Sequence, residues 1–144
     1  MAEMDTTGLD ELMLSLEEVA DLPDEVVLEM LQAEGQVLKE AQIRSIQSTF
    51  GAERTHQLEQ SLTVDEKLRT GWTGAAGRYL LLAPKGNRKE GPRNAEVAFI
   101  QEFGAPRRGI RATQWMRLAN EGAAEQAVNA AAQVYDRYLE DHNL

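Results

Sequence analysis

The sequence contains no cysteine. That removes disulfides, thiolate catalysis and cysteine zinc sites, and it suits a reducing compartment. There are only two histidines, His56 in a linker and His142 near the C-terminal end. Neither stands at metal-ligand spacing from another histidine or a carboxylate, so no metal or cofactor is expected. No apolar run approaches the roughly 18–20 residues needed to cross a bilayer. The opening MAEMDTTGLDE is acidic. A signal peptide would begin basic and turn apolar, so none is expected here. Lysine and arginine are absent from the first 38 residues, which carry eleven acidic ones.

That asymmetry is the main feature of the charge pattern. The net charge is −9, yet residues 39–144 hold all fifteen basic residues against thirteen acidic ones. An acidic first quarter repels DNA and anionic membranes. Its natural counterpart is a basic protein surface. The 144 residues fit one domain able to bury a core without disulfides or metal. Residues 1–22 read as an acidic helical extension and 23–144 as the core.

Over 8–20, Leu9, Leu12, Met13, Leu16, Val19 and Ala20 recur at spacings of three and four, the apolar stripe of a helix. Pro23, followed by Asp24 and Glu25, restarts the chain as a second helix over about 23–49. The middle reads as strands at 67–73, 78–83 and 95–100, rich in aromatic and aliphatic residues between Gly and Pro. The stretch PKGNRKEGPRN, 84–94, reads as a long basic loop. Thr113 is a candidate N-cap for a last helix running to about Asp141. The expected fold is therefore α+β: N-terminal helices, a small antiparallel sheet of three to four strands, and a long C-terminal helix packed on the sheet.

Signals for catalysis are weak. GWTGAAG lacks the Gly-Lys-Ser/Thr end of a phosphate loop. Glu96 and Glu102 would share a face of a strand, but no nucleophile or oxyanion donors accompany them. The stronger signal is basic. Residues 85–111 hold Lys85, Arg88, Lys89, Arg93, Arg107, Arg108 and Arg111 against three acidic residues. Such a cluster suits phosphates, which makes a small nucleic-acid-binding module the alternative reading. An aromatic platform is missing from that reading, because Phe99 and Phe103 fall in the apolar run. A protein–protein contact between this cluster and the acidic N-terminal segment, with Glu11, Glu17 and Glu18, accounts for both halves of the charge pattern.

Residues 94–121, NAEVAFIQEFGAPRRGIRATQWMRLANE, resemble the hallmark of a tail-component family of long-tailed bacteriophages, described as neck, tail-completion or head–tail joining proteins. The family shows a short apolar run, Glu-Phe/Tyr-Gly, a loop of small and basic residues, and an aromatic-Met/Leu-Arg step into the C-terminal helix. Here these fall on Val97–Ile100, on Glu102, Phe103 and Gly104, on 105–111, and on Trp115, Met116 and Arg117. The family often has prolines where this chain has Ile110, Ala112 and Thr113, and the 8–20 helix looks like an addition.

The resemblance implies a protein without a substrate, found in the virion neck or tail after assembly in the host cytoplasm. It implies rings of identical subunits that contact head-completion or connector proteins and tail-terminator or tail-tube proteins. At most, weak contact with DNA in the channel is implied, and none with membranes. Within the motif, Gly104 suits a sharp turn at positive φ and Pro106 stiffens the exit. Phe103 and Trp115 are expected to anchor the loop ends in the core, leaving Arg107 and Arg108 projecting.

Overall fold

The computed structural model describes residues 22–50, 57–70, 77–87 and 93–142. The helix expected over 8–20 lies outside these residues, as does most of the glycine segment after Thr70. Helix α1 spans Asp24–Phe50 and begins one residue after Pro23, whose carbonyl accepts the Val26 and Val27 amides. Asp24 and Glu25 occupy its first turn, where their charge suits the positive end of the helix. A single turn of helix, α2 (Gln57–Ser61), leads directly into strand β1 (Leu62–Val64). Strands β2 (Arg69–Thr70), β3 (Arg78–Tyr79) and β4 (Leu82–Pro84) follow, then helix α3 (Asn94–Phe103), a 3₁₀ turn (Pro106–Arg108) and helix α4 (Trp115–Asp141).

The class is α+β, mostly helical, with short antiparallel strands. Two expectations are corrected. Among the described residues the strands form two separate two-stranded ribbons, β1 with β4 and β2 with β3, where one sheet of three or four was expected. Residues 95–100, expected as a strand, lie within α3. The burial pattern shows why they fold as a helix: Asn94, Ala98 and Glu102 are its buried residues, spaced by four. Two of these three are polar, so the inward stripe was invisible to a search for apolar alternation.

α4 also differs from expectation. It lies along α1 rather than on the strands. Ser45 bonds to Trp115, Gln42 to Asn120, and Arg137 pairs with Glu29, so the two helices run antiparallel. The seam on α4 is Trp115, Ala119, Ala123, Ala127 and Ala131, every fourth residue, then Val134. Alanines there let the backbones approach closely at no cost in helix propensity. Val128, off this stripe, is exposed.

At one end of the pair, Ile46, Leu58, Leu62, Ala98 and Trp115 form the main core, with Ile43, Phe50, Leu82 and Met116 packed on it. The strands reach α1 at Gly35. A Cβ there would stand 3.0 Å from Val64 Cγ1, so this glycine, a weak point for helix propensity, is where β1 seats.

One carboxylate joins the two ribbons. Asp65 is buried just past β1. Its amide donates to the Leu81 carbonyl at 3.0 Å, and its Oδ2 accepts the Leu81 amide at 3.0 Å. Arg69 Nε of β2 reaches Oδ2 at 2.7 Å, and Lys85 Nζ, beyond β4, reaches Oδ1 at 2.8 Å. The Arg69 guanidinium first, and the Lys85 ammonium second, hold the Asp65 carboxyl well below the usual carboxylate range against the opposing effect of burial. Both cations are about half exposed, so water screens part of the attraction.

Because the folded chain depresses the Asp65 pKa, its stabilisation is complete above the unfolded value of about 3.9 and drains away as pH falls below it. Asp65→Asn should cost about 1–3 kcal/mol at neutral pH. Urea melts should show a constant gap from pH 8 to 5 that narrows below about pH 4. A gap that stays constant down to pH 3 would contradict this assignment.

Candidate functional site

The turn between α3 and α4 is built around one residue of the Glu-Phe-Gly motif. Glu102 is 7% exposed. Its Oε2 accepts the Met116 amide at 2.7 Å and its Oε1 accepts the Arg117 amide at 3.1 Å. These are two of the orphan donors at the start of α4, where a negative charge also complements the helix dipole. The cap therefore comes from the preceding helix rather than from the residue before Trp115. That residue, Gln114, is left-handed at φ 53° and makes no side-chain cap. Thr113, expected as the N-cap, turns the other way: its hydroxyl donates to the Gln101 carbonyl at 2.7 Å.

The exposed carbonyls at the end of α3 are met by the returning chain. Gly104 N donates to Ile100 O, Thr113 N to Gln101 O, and Gln114 N to Glu102 O. Glu102 thus closes its own helix with its carbonyl and opens the next with its carboxylate. Trp115 is fully buried, with its indole N–H 3.3 Å from the Ala98 carbonyl, and Ser45 Oγ donates to the Trp115 carbonyl at 2.7 Å. The turn is bonded to both long helices.

Gly104 has φ 79° and ψ 173°, a region essentially reserved for glycine. A Cβ there would lie 2.7 Å from the Ala112 amide nitrogen. The loop that follows folds on itself. Ala105 and Ile110 exchange both backbone hydrogen bonds, and between them Pro106–Arg108 makes a 3₁₀ turn ended by Gly109 at φ 69°. The expected roles of Gly104 and Pro106 in a sharp, stiff turn agree with this geometry.

The expected role of Phe103 does not. Trp115 is anchored in the core, but Phe103 is 64% exposed and Phe99 is 62% exposed. One helical turn apart, their rings touch with centroids 4.8 Å apart. With Asn94, Ala98 and Glu102 taking the inward stripe, positions 99 and 103 are left facing outward. They border an open groove of about 500 Å³ between α3 and the first turns of α4, whose apolar lining includes Ala95, Ala98 and Met116. Sequence reasoning missed this groove. The available signal was the i, i+4 spacing of the two phenylalanines beside a second such stripe.

The basic residues divide. Arg107, Arg108 and Arg111 are exposed and make no ion pair among the described residues. Lys85 is committed to Asp65, and Arg93 pairs with Glu96 at 3.1 Å. Arg88 and Lys89 lie outside the described residues, as do Glu11, Glu17 and Glu18. Among the described residues of this stretch, Lys85 and Arg93 are therefore paired, and Arg107, Arg108 and Arg111 are left exposed. Glu96 and Glu102 do not form a carboxylate pair either. Glu96 is on the surface with Arg93, while Glu102 is buried in its capping role. Among the described residues, no group of three His, Cys, Asp or Glu could hold a metal ion.

Comparison of the chain with protein-family models, with curated proteins and with solved structures returns no match.

Glu102→Ala removes a buried charged acceptor from two helix-start amides and should cost about 1–3 kcal/mol. Hydrogen exchange should show lost protection at Met116 and Arg117 ahead of the rest of α4. Gly104→Ala should cost at least as much, since about 1–3 kcal/mol of backbone strain adds to the contact with Ala112. Wild-type melting curves for both variants would refute the locked turn.

Proposed function

We propose that this chain is a virion structural protein of a long-tailed phage, of the neck or tail-completion type, acting as a ring at the head–tail junction. The resemblance of residues 94–121 supports this reading, and one observation carries it. Phe99 and Phe103 are exposed beside a turn whose backbone is hydrogen-bonded at Gly104, Ala105, Ile110, Thr113 and Gln114. A rigid apolar pair in water marks a contact surface rather than a reaction centre. Arg107, Arg108 and Arg111, exposed in the loop that follows the pair in the chain, add charge that steers and orients a partner. The partners proposed are neighbouring copies in the ring, a connector or head-completion protein on one side, and a tail-terminator or tail-tube protein on the other.

A second reading keeps one specific observation in its favour. Exposed aromatic rings near free arginines are the elements of a single-strand nucleic-acid surface. Here the two rings pack on each other, tilted by 49°, instead of presenting separate faces for stacking. The net charge of −9 also opposes binding to a polyanion.

Electron microscopy of particles made without this gene separates the two. Filled heads and finished tails that fail to join, and that join when the protein is added back, are the expected result. Normal joined particles would end the neck reading, and micromolar affinity for oligonucleotides that falls steeply with salt would move the second reading forward. Arg107→Ala with Arg108→Ala should leave stability within about 0.5 kcal/mol of wild type, since neither is buried, while failing to restore joining.

A further inference from the structure

We infer that the groove at Phe99 and Phe103 receives residues 8–20 of a second copy of this chain, in a head-to-tail contact. Three observations point to that occupant. The groove is open, apolar and bounded by a helix on each side, the form that accepts an amphipathic helix through anchors at i, i+3, i+4 and i+7. Leu9, Leu12, Met13 and Leu16 of this sequence have that spacing.

The charges match as well. Residues 1–21 hold seven acidic residues and no basic one. Asp10, Glu11, Glu17 and Glu18 fall outside the apolar stripe at helical spacing, free to face a cationic neighbour. The arginine loop begins immediately after Phe103 and Gly104, and its three arginines have no ion-pair partner among the described residues.

Reach decides between the same copy and another. Leu22 is tied at the start of α1, where its carbonyl accepts the Arg78 guanidinium. The groove lies at the other end of α1, level with Gln42 and Ser45, which bond to Asn120 and Trp115. At 1.5 Å per residue these levels are roughly 30 Å apart. A helix running back from Leu22 would place Leu9 only about 20 Å away and the other anchors closer still. With 8–20 as one helix, the stripe therefore falls short of its own groove, and a second copy is the occupant inferred. Joining different patches on successive copies is a heterologous contact, which propagates and closes into a ring where the geometry permits. This contact rests on the proposed neck role only for its setting in a particle.

Two full-length variants test the inference. One carries Leu12→Asp and Leu16→Asp, and so lacks the stripe. The other carries Phe99→Asp and Phe103→Asp, and so lacks the groove. In sedimentation velocity the wild type should grow beyond a dimer with concentration, while each variant alone stays monomeric. An equimolar mixture should form a dimer and stop there, because one groove and one stripe remain. A mixture that stays monomeric would overturn the proposal. So would a wild type that is monomeric at every concentration, or a stripe variant that still self-associates, since copies would then meet groove to groove.

If the groove variant melts below wild type, the charges provide an independent test. Arg107→Glu, Arg108→Glu and Arg111→Glu together should weaken association at least about tenfold, in the range expected for several close charge pairs. A partner carrying Glu11→Arg, Glu17→Arg and Glu18→Arg should restore it, and failure of that rescue counts against the contact. Failed association would leave the head–tail phenotype standing. A working contact in a chain whose loss leaves particles normal would retire the neck role alone.

Discussion

The Glu102 carboxylate on the Met116 and Arg117 amides is the interaction on which the α3–α4 turn depends. Two helices that meet at a turn leave unpaired carbonyls on one side and unpaired amides on the other. Here one residue takes part on both sides: its carbonyl accepts the Gln114 amide and its carboxylate accepts the Met116 and Arg117 amides. The consequences spread from it. Trp115 is fixed beneath the turn, Gly104 must pass within contact distance of Ala112, and the six-residue loop beyond is held at its base by Ala105 and Ile110. The left-handed Gln114 is strained by of order 1–2 kcal/mol, which the hydrogen bonds on either side offset.

Burying Glu102 also determines what is left outside. A ten-residue helix has room for one inward stripe, and this one gives that stripe to Asn94, Ala98 and Glu102. The large apolar side chains are displaced to the solvent face. In a monomer optimised only for stability, the phenylalanines would be expected inside and the carboxylate outside. Conflicts between local burial rules and the observed placement concentrate at functional surfaces. The arrangement at α3 is such a conflict, and it falls within the segment on which the family resemblance rests.

Much of the frame was legible in the sequence, and the exceptions have physical causes. The start of the first long helix follows from Pro23 and the acidic turn after it, and the last helix ends at Asp141 as expected. Trp115 reads as a core anchor because a large ring opens an apolar stripe. Gly104 reads as a turn because glycine alone tolerates its backbone angles. Residues 95–100 read as a strand because a short apolar run carries little periodicity and the buried face of α3 is mostly polar. For the same reason Phe103 was assigned to the core and the groove went unseen. Asp65 gave no signal at all. Arg69 lies only four residues on, but Lys85 is brought to it by the pairing of β1 with β4, and no local pattern encodes the long-range hydrogen bonds to Leu81 and Lys85. The free arginines were legible as a cluster, but not which of them would be committed to Asp65 and Glu96.

The seam between α1 and α4 has a mechanical consequence. Alanine has no rotamers to exchange, and a ladder of alanines at every fourth position offers no slack into which a neighbouring side chain could repack. A load applied at the Glu102 turn therefore cannot be dissipated by rearrangement along the seam. It is carried as tilt of the whole helix pair, and displacement at one tip emerges, magnified by the length of the pair, at the tip where Leu22 is held. The pair behaves as a stiff strut, so a push at the Phe99 and Phe103 face is felt at the opposite end of the two helices.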